Sequence, residues 1–248
     1  MKAIAYIIIF VLVILGVTAF FLVRPFFYSP ENKVKILMTG RSTMGLWFKH
    51  WNWPYPLRIK GTYRSWPIPY NKYSKGQLFL EYLPLNGPMS KDPSLPFGEQ
   101  MLKSFEAGLI NEKPDVAFFK FCFVDFPVKE DEWQKRFEGL TKTITAAHEM
   151  TAKRKMKLIV GNALPLLNPS DATLRLQVAY NQWLQDFAAR HDDVRVFDLF
   201  SVMVGPNGQL REEFARDKDD DHPNDRAFSL LDERFFKDVS GWLPINPS

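Results

Sequence analysis

The feature that most limits the fold of this chain is a regular alternation of short apolar runs with amphipathic helical stretches. The first kind predicts buried strands and the second predicts helices, as where Trp133, Phe137, Leu140 and Ile144 recur at helical spacing. Strands are predicted at 34–40, 77–83, 115–125, 157–166 and 194–200, and helices at 97–112, 130–155, 171–190 and 223–242. Strands that alternate with helices form crossover units. The chain is therefore predicted to be an α/β protein, a three-layer α/β/α sandwich with a parallel five-stranded sheet.

The N-terminus departs from this pattern. Residues 3–23 contain no charged side chain and match the ~20 apolar residues that span a bilayer. We therefore predict a transmembrane anchor or signal sequence at 1–23, a linker at 24–33 and one domain at 34–248. Basic residues lie on both sides of the segment, so their positions do not orient it. Bulky apolar residues continue beyond a small-residue stretch at 17–19, which favours an uncleaved anchor over a cleaved signal.

Composition narrows the possible partners. The formal net charge of +4 is not clustered into a basic stripe, and no base-stacking motif is present, so nucleic acid is not expected as a partner. The single cysteine, Cys122, excludes an intramolecular disulfide. No metal or cofactor is predicted. These features suit a single-pass protein of the bacterial inner (plasma) membrane with its folded domain outside the cytoplasm.

The segment from Leu46 to Tyr82 is rich in aromatic residues, prolines and basic residues, and it lacks a clear period before the strand at 77–83. We interpret it as an elaborated loop that leads into that strand. Its tryptophans are open to two readings, a wall on which sugar rings stack or ordinary packing of the loop against the body and the membrane interface. They are Trp47, Trp51, Trp53 and Trp66.

Residues able to carry chemistry follow the predicted strands. In an open parallel sheet, ligands bind outside the carboxyl ends of the strands. The stretches there are 40–45 (GRSTMG), 86–91 (NGPMSK), 122–126 (CFVDF) and 219–225 (DDDHPND). A serine in the first and a histidine preceded by acids in the last supply the parts of a nucleophilic triad, with Ser42 as nucleophile, His222 as base and Asp219, by its spacing, as orienting acid. Alternatively, Ser42 caps a helix, or the nearby His50 is the base.

Two of these stretches resemble the blocks of the SGNH/GDSL hydrolases. Gly40-Arg41-Ser42 is similar to the family's Gly-Asp-Ser block, and residues 219–224 are similar to its Asp-x-x-His-Pro block. The resemblance implies a flavodoxin-like sheet and an ester hydrolase that works through an acyl-serine. It also implies oxyanion donors at the backbone N–H of Ser42 and at that of a glycine after the second strand, for which Gly87 is the candidate.

The chain departs from the family pattern at two positions. Arg41 replaces the family's aspartate, and Val124 in Cys122-Phe123-Val124-Asp125 replaces the asparagine that donates to the oxyanion. Losing one oxyanion donor typically costs ~100- to 1000-fold in turnover. Asn86 is the nearest substitute donor, and Arg41 would be another if its side chain turned inward. Asp125 is expected to support the site, and Arg41 is expected to point outward, towards an anionic substrate or lipid head group.

Two functions are compatible with this sequence. One is a membrane-anchored serine esterase or O-acyltransferase that acts on acylated envelope glycans or small esters. The other is a catalytically impaired binding or scaffold module of the cell envelope, which the missing asparagine favours. The acyl group, the acceptor and any protein partner are not defined by the sequence.

Overall fold

A computed structural model describes residues 33–51, 72–85 and 98–243 of the 248-residue chain. The predicted anchor lies outside the described residues, as do Asn86 and Gly87. Within the described ranges, no helix combines the length and apolarity needed to cross a membrane.

A six-stranded sheet forms the middle of the domain. Its strands are β1 (Val34–Gly40), β2 (Lys72–Lys75), β3 (Leu78–Pro84), β4 (Val116–Lys120), β5 (Lys157–Gly161) and β6 (Val194–Phe197), in the spatial order β2-β3-β1-β4-β5-β6. Five of them pair in parallel and correspond to the five predicted strands, namely β3, β1, β4, β5 and β6. The predicted strand count was nevertheless one short, because β2 adds an antiparallel edge to β3.

The missed strand has a simple physical explanation. Gly76, at a φ of 55°, lies in the tight turn that reverses the chain between β2 and β3. The sequence of β2, Lys-Tyr-Ser-Lys, has no buried residue, so it carries no apolar run to indicate a strand. Its position at the sheet edge accounts for that polarity, since charged side chains are usual on edge strands.

Helices cover both faces of the sheet. They are α1 (Ser42–Trp51), α2 (Glu99–Glu112), α3 (Trp133–Ala152), α4 (Asp171–Ala189), the short α5 (Phe200–Met203) and α6 (Asp225–Trp242). The buried side chains form two clusters: α1, α5 and α6 pack on one face, and α2, α3 and α4 pack on the other. In β4 the neighbours Phe118 and Phe119 enter opposite clusters, as the alternation of a strand requires. The three-layer architecture is therefore confirmed.

The reading of 46–82 as loop is wrong at its start, because α1 extends to Trp51. Trp47 is fully buried, with its ring near Phe197 and Phe235, and the indole N–H groups of Trp47 and Trp51 both donate to Asp232 of α6. These two tryptophans join α1 to α6, so neither forms a sugar-binding wall. Trp53 and Trp66 lie outside the described residues.

Candidate active site

Ser42 lies at the carboxyl edge of the sheet, where β1 meets α1. The first turn of α1 begins directly after the strand, with the backbone N–H groups of Met44 and Gly45 donating to the carbonyl of Arg41 at 3.0 and 3.2 Å. This turn passes close to Gly40, where a Cβ would come within 3.0 Å of Met44 Cβ. Glycine therefore permits the tight strand-to-helix turn that leaves Ser42 exposed.

His222 reaches Ser42 from a separate ribbon. Two short antiparallel strands, β7 (Ala215–Asp217) and β8 (Asp220–Pro223), form that ribbon, and α6 follows it. The His222 Nε2 lies 2.8 Å from Ser42 Oγ, and the Phe123 ring packs edge-on against the imidazole at a centroid distance of 4.7 Å. The structure thus brings together the predicted nucleophile and base, which are 180 residues apart in the chain. Their catalytic roles stay predictions.

The prediction that Asp219 orients the imidazole is wrong. Asp220 is the residue that contacts the imidazole, with its Oδ1 2.5 Å from His222 Nδ1 and 3.0 Å from the His222 backbone nitrogen. The Asp219 side chain is 85% exposed and lies 3.9 Å from the Lys218 ammonium. In a strand, residues two apart face the same side, so β8 aligns Asp220 with His222. Asp221 faces away and accepts a hydrogen bond from the Leu167 backbone at 2.7 Å.

The environment of Asp220 favours its ionised form. Partial burial acts to raise the pKa of its carboxyl, but the backbone N–H and the imidazole of His222 outweigh burial and hold that pKa below the usual 3.8. An ionised carboxylate at Nδ1 fixes the ring proton on that nitrogen. The lone pair of Nε2 is then left facing the Ser42 hydroxyl, which is the arrangement a general base requires.

Asp125 and Arg41 form an ion pair beside Ser42. Arg41 Nη1 donates to Asp125 Oδ1 at 3.0 Å, and Asp125 Oδ2 accepts from the Cys122 backbone at 2.7 Å. Asp125 is almost wholly buried; burial raises the pKa of its carboxyl, although the Cys122 N–H, Arg41 and Lys120 oppose the shift. The expectation that Arg41 points outward is wrong, because its side chain is only 22% exposed and is paired with Asp125.

Cys122 contacts the nucleophile as well as the core. Its sulfur lies 3.5 Å from Ser42 Oγ and 3.8 Å from Thr43 Oγ1. The side chain is also buried in the core cluster between the sheet and α1. Nothing in the run of phenylalanines around Cys122 in the sequence signals a contact with position 42.

The remaining predicted site residues contribute less. Val124 packs against the core as a partly buried residue and offers no side-chain donor. Asn86 and Gly87 lie outside the described residues, so of the predicted oxyanion donors only Ser42 falls within them. His50 contacts Asp225 and Asp232 of α6 at 3.3 and 3.4 Å rather than Ser42, which argues against it as the base. Within residues 33–51, 72–85 and 98–243, no three His, Cys, Asp or Glu side chains gather in a way that could hold a metal ion.

Comparison with known proteins identifies the fold of this chain. No protein-family model and no curated protein matches the sequence. Among solved structures, the chain is similar to a protein assigned as an acylhydrolase from Bacteroides fragilis, with a TM-score of 0.56, 15% identity and coverage of 85% of this chain and 88% of that one. It is equally similar to a GDSL-like lipase from Bacteroides thetaiotaomicron, with a TM-score of 0.56, 12% identity and coverage of 87% and 92%.

A third similar structure is an acetyl esterase variant with an acetate ion, with a TM-score of 0.50, 13% identity and coverage of 84% and 97%. At these identities the likeness concerns the fold. The resemblance of the two sequence blocks and the likeness of the structures agree: the described chain has the fold of the SGNH/GDSL hydrolases.

Proposed function

We propose that this protein is a serine esterase that forms an acyl-Ser42 intermediate. The observation that carries the proposal is the continuous line of contacts from Asp220 through His222 to Ser42, with distances of 2.5 and 2.8 Å. A serine hydroxyl is a weak nucleophile until an adjacent base accepts its proton. The exposure of Ser42 leaves its hydroxyl accessible to an ester.

The reaction follows from these positions. His222 Nε2 takes the proton of Ser42 as Oγ attacks the ester carbonyl, and a tetrahedral oxyanion forms. The oxyanion collapses, the bond to the alkoxy group breaks, and His222 returns the proton to the departing alcohol. Water, activated by the same imidazole, then cleaves the acyl-serine and regenerates the hydroxyl. If a sugar hydroxyl takes the place of that water, the same steps transfer the acyl group.

The proposed substrate is an O-acylated carbohydrate of the cell envelope or a small ester. The names of the structurally similar proteins, a GDSL-like lipase and an acetyl esterase, support ester chemistry. The apolar segment 3–23 supports attachment to a membrane, with the folded domain outside the cytoplasm. Attachment is tested by fractionating cells that produce the full chain or a form lacking residues 1–32. Recovery of both forms in the soluble fraction would contradict it.

Reaction with a fluorophosphonate probe tests the serine esterase directly. The full chain should gain one phosphonyl group, located on Ser42 by peptide mass spectrometry, and it should release acetate from a small acetyl ester. Ser42→Ala should abolish both results while leaving the fold intact, as checked by circular dichroism. An unlabelled native protein would contradict the proposal.

The alternative function is a binding or scaffold module with an impaired oxyanion hole. The specific observation in its favour is Val124, which supplies no side-chain donor. Val124→Asn places an amide at that position and separates the two functions. An esterase with a complete hole should gain little from the change, whereas an impaired one should gain turnover, by up to the ~100- to 1000-fold that one donor typically contributes.

A further inference from the structure

Lys120, the last residue of β4, is fully buried, and its ε-amine has no hydrogen-bond partner within the part of the chain that the structure describes. Glycines on the two neighbouring strands flank its stem. A Cβ on Gly40 would lie 3.2 Å from Lys120 Cγ, and one on Gly161 would lie 2.9 Å from Lys120 Cβ. Gly161 is also its paired residue across β4 and β5. The two glycines therefore make room for the lysine.

Packing does not explain an amine at this position. Burial removes the hydration of the amine, and no hydrogen bond replaces it, which lowers the stability of the fold. A methionine of similar length would fill the space without that cost. Unpaired buried polar groups are rare in folded proteins, and departures of this kind concentrate at functional sites.

The amine belongs to the same face of the sheet as the nucleophile. Phe118 and Cys122, two residues before and after Lys120, enter the core cluster beneath α1, whereas the intervening Phe119 and Phe121 enter the opposite cluster. Lys120 is thus directed to the α1 face, and Gly40 lies against both its stem and Met44 of the first α1 turn. Cys122 in turn contacts Ser42.

The positive charge of the Lys120 amine is only partly balanced by its surroundings. Burial lowers the pKa of its amine, and Cys122 and Asp125 oppose that shift without overcoming it. Asp125 is itself neutralised by Arg41. Gly40, Gly161 and the nearby Leu199 bring no charge. A negative charge that forms near such a group strengthens its hold on a proton.

We propose that Lys120 supplies to the Ser42 site, by its positive charge, part of the oxyanion stabilisation that the side chain of Val124 cannot provide. When the oxyanion of the acyl transfer forms at Ser42, the protonated amine stabilises it through the poorly solvated interior. The amine keeps its proton throughout the step and makes no bond to the substrate, so Lys120 is a supporting residue rather than a catalytic one. This role rests on the proposed serine esterase function.

Kinetics of Lys120→Met test the role. The variant should lose roughly tenfold in kcat at unchanged KM, less than the loss of a direct oxyanion donor would cause. The native profile should decline on its alkaline side as Lys120 loses its proton, and that decline should be absent from the variant. Lys157→Met, which removes a lysine from the start of the neighbouring strand β5, should keep the native kcat and profile.

Stability provides a readout that does not depend on activity. A lysine pKa lowered by folding penalises the native state as the pH falls from the ordinary 10.5 towards the lowered value. Lys120→Met should therefore melt about 2–4 °C above the native protein at neutral pH. This margin should shrink as the pH rises towards 10.5. A margin independent of pH, or an unchanged kcat and profile in an active enzyme, would overturn this inference alone. A native protein that fails to label at Ser42 would remove the proposed function and, with it, the role of Lys120.

Discussion

Two carboxylates adjoin the Ser42 site in opposite environments. Asp125 is buried, bonded to Arg41 and the Cys122 backbone, and its pKa is raised by burial. Asp220 has a side chain 33% exposed, and His222 holds its pKa below the usual value despite partial burial. The first joins the loop after β1 to the loop after β4, and the second contacts the imidazole of His222, which faces Ser42.

The contrast shows how burial divides the tasks of two similar side chains. A buried carboxylate needs a paired positive charge and hydrogen-bond donors, so its main contribution is to hold the segments that carry those partners together. A carboxylate near the surface can stay ionised and orient an imidazole that changes its protonation state during a reaction. Asp125 is therefore expected to matter chiefly for stability, and Asp220 chiefly for turnover.

The largest expected effect is on turnover at Asp220. Asp220→Asn keeps the shape of the side chain but no longer holds the proton on Nδ1, so kcat on an acetyl ester should fall roughly 10³- to 10⁴-fold, as for the aspartate of other serine triads. Asp219→Asn is the matched control, one residue before Asp220 in the turn that leads into β8, and it should keep nearly full turnover. Comparable losses in the two variants would contradict the assignment of Asp220.

A smaller effect, on stability, is expected at Asp125. Asp125→Asn removes the charge that pairs with Arg41 and weakens the bond to the Cys122 backbone, so unfolding in urea should cost about 1–3 kcal/mol less. The exposed Asp219→Asn variant should stay within about 0.5 kcal/mol of the native protein. Combining Asp125→Asn with Arg41→Gln should cost less than the sum of the single changes, because both remove the same ion pair. Strict additivity would show that the pair carries no coupling.

The sequence predicted those elements of the fold that carry a clear periodicity of apolar residues. The parallel strands follow from apolar periodicity. The pairing of Ser42 with His222 follows from the rule that sites lie at the carboxyl ends of strands, and from the resemblance of their two sequence blocks to the SGNH/GDSL hydrolases. The edge strand β2 was missed because an edge strand needs no buried residue. The helix α1 was missed because its aromatic residues made the segment look like a loop. They pack against α6, and the sequence alone does not show that α6 lies nearby.

The choice of acid failed for a local reason. A three-residue spacing selected Asp219, but the alternation of β8 decides which of three consecutive aspartates faces the imidazole. That ribbon is too short and polar to be recognised from apolar pattern. The Arg41–Asp125 pair was equally inaccessible, because its partners lie 84 positions apart and each alone resembles a surface charge.

The smallest expected effect is a difference in pH dependence between the two acids. For Asp220 the folded pKa is lowered, so its contribution to stability is present above the usual 3.8 and is lost as the pH falls through the lowered value. For Asp125 the folded pKa is raised, so the ionised form is penalised, and the penalty grows as the pH rises from 3.8 through the raised value. On acidification, the difference in free energy of unfolding between the native protein and Asp220→Asn should therefore shrink, while the difference from Asp125→Asn should grow.

Urea unfolding of the three proteins at several pH values, between neutrality and the acid limit of the fold, measures how both differences change with pH. If the stability differences from the two variants changed with pH in the same direction, the folded-state pKa values of Asp125 and Asp220 would not be shifted in opposite directions.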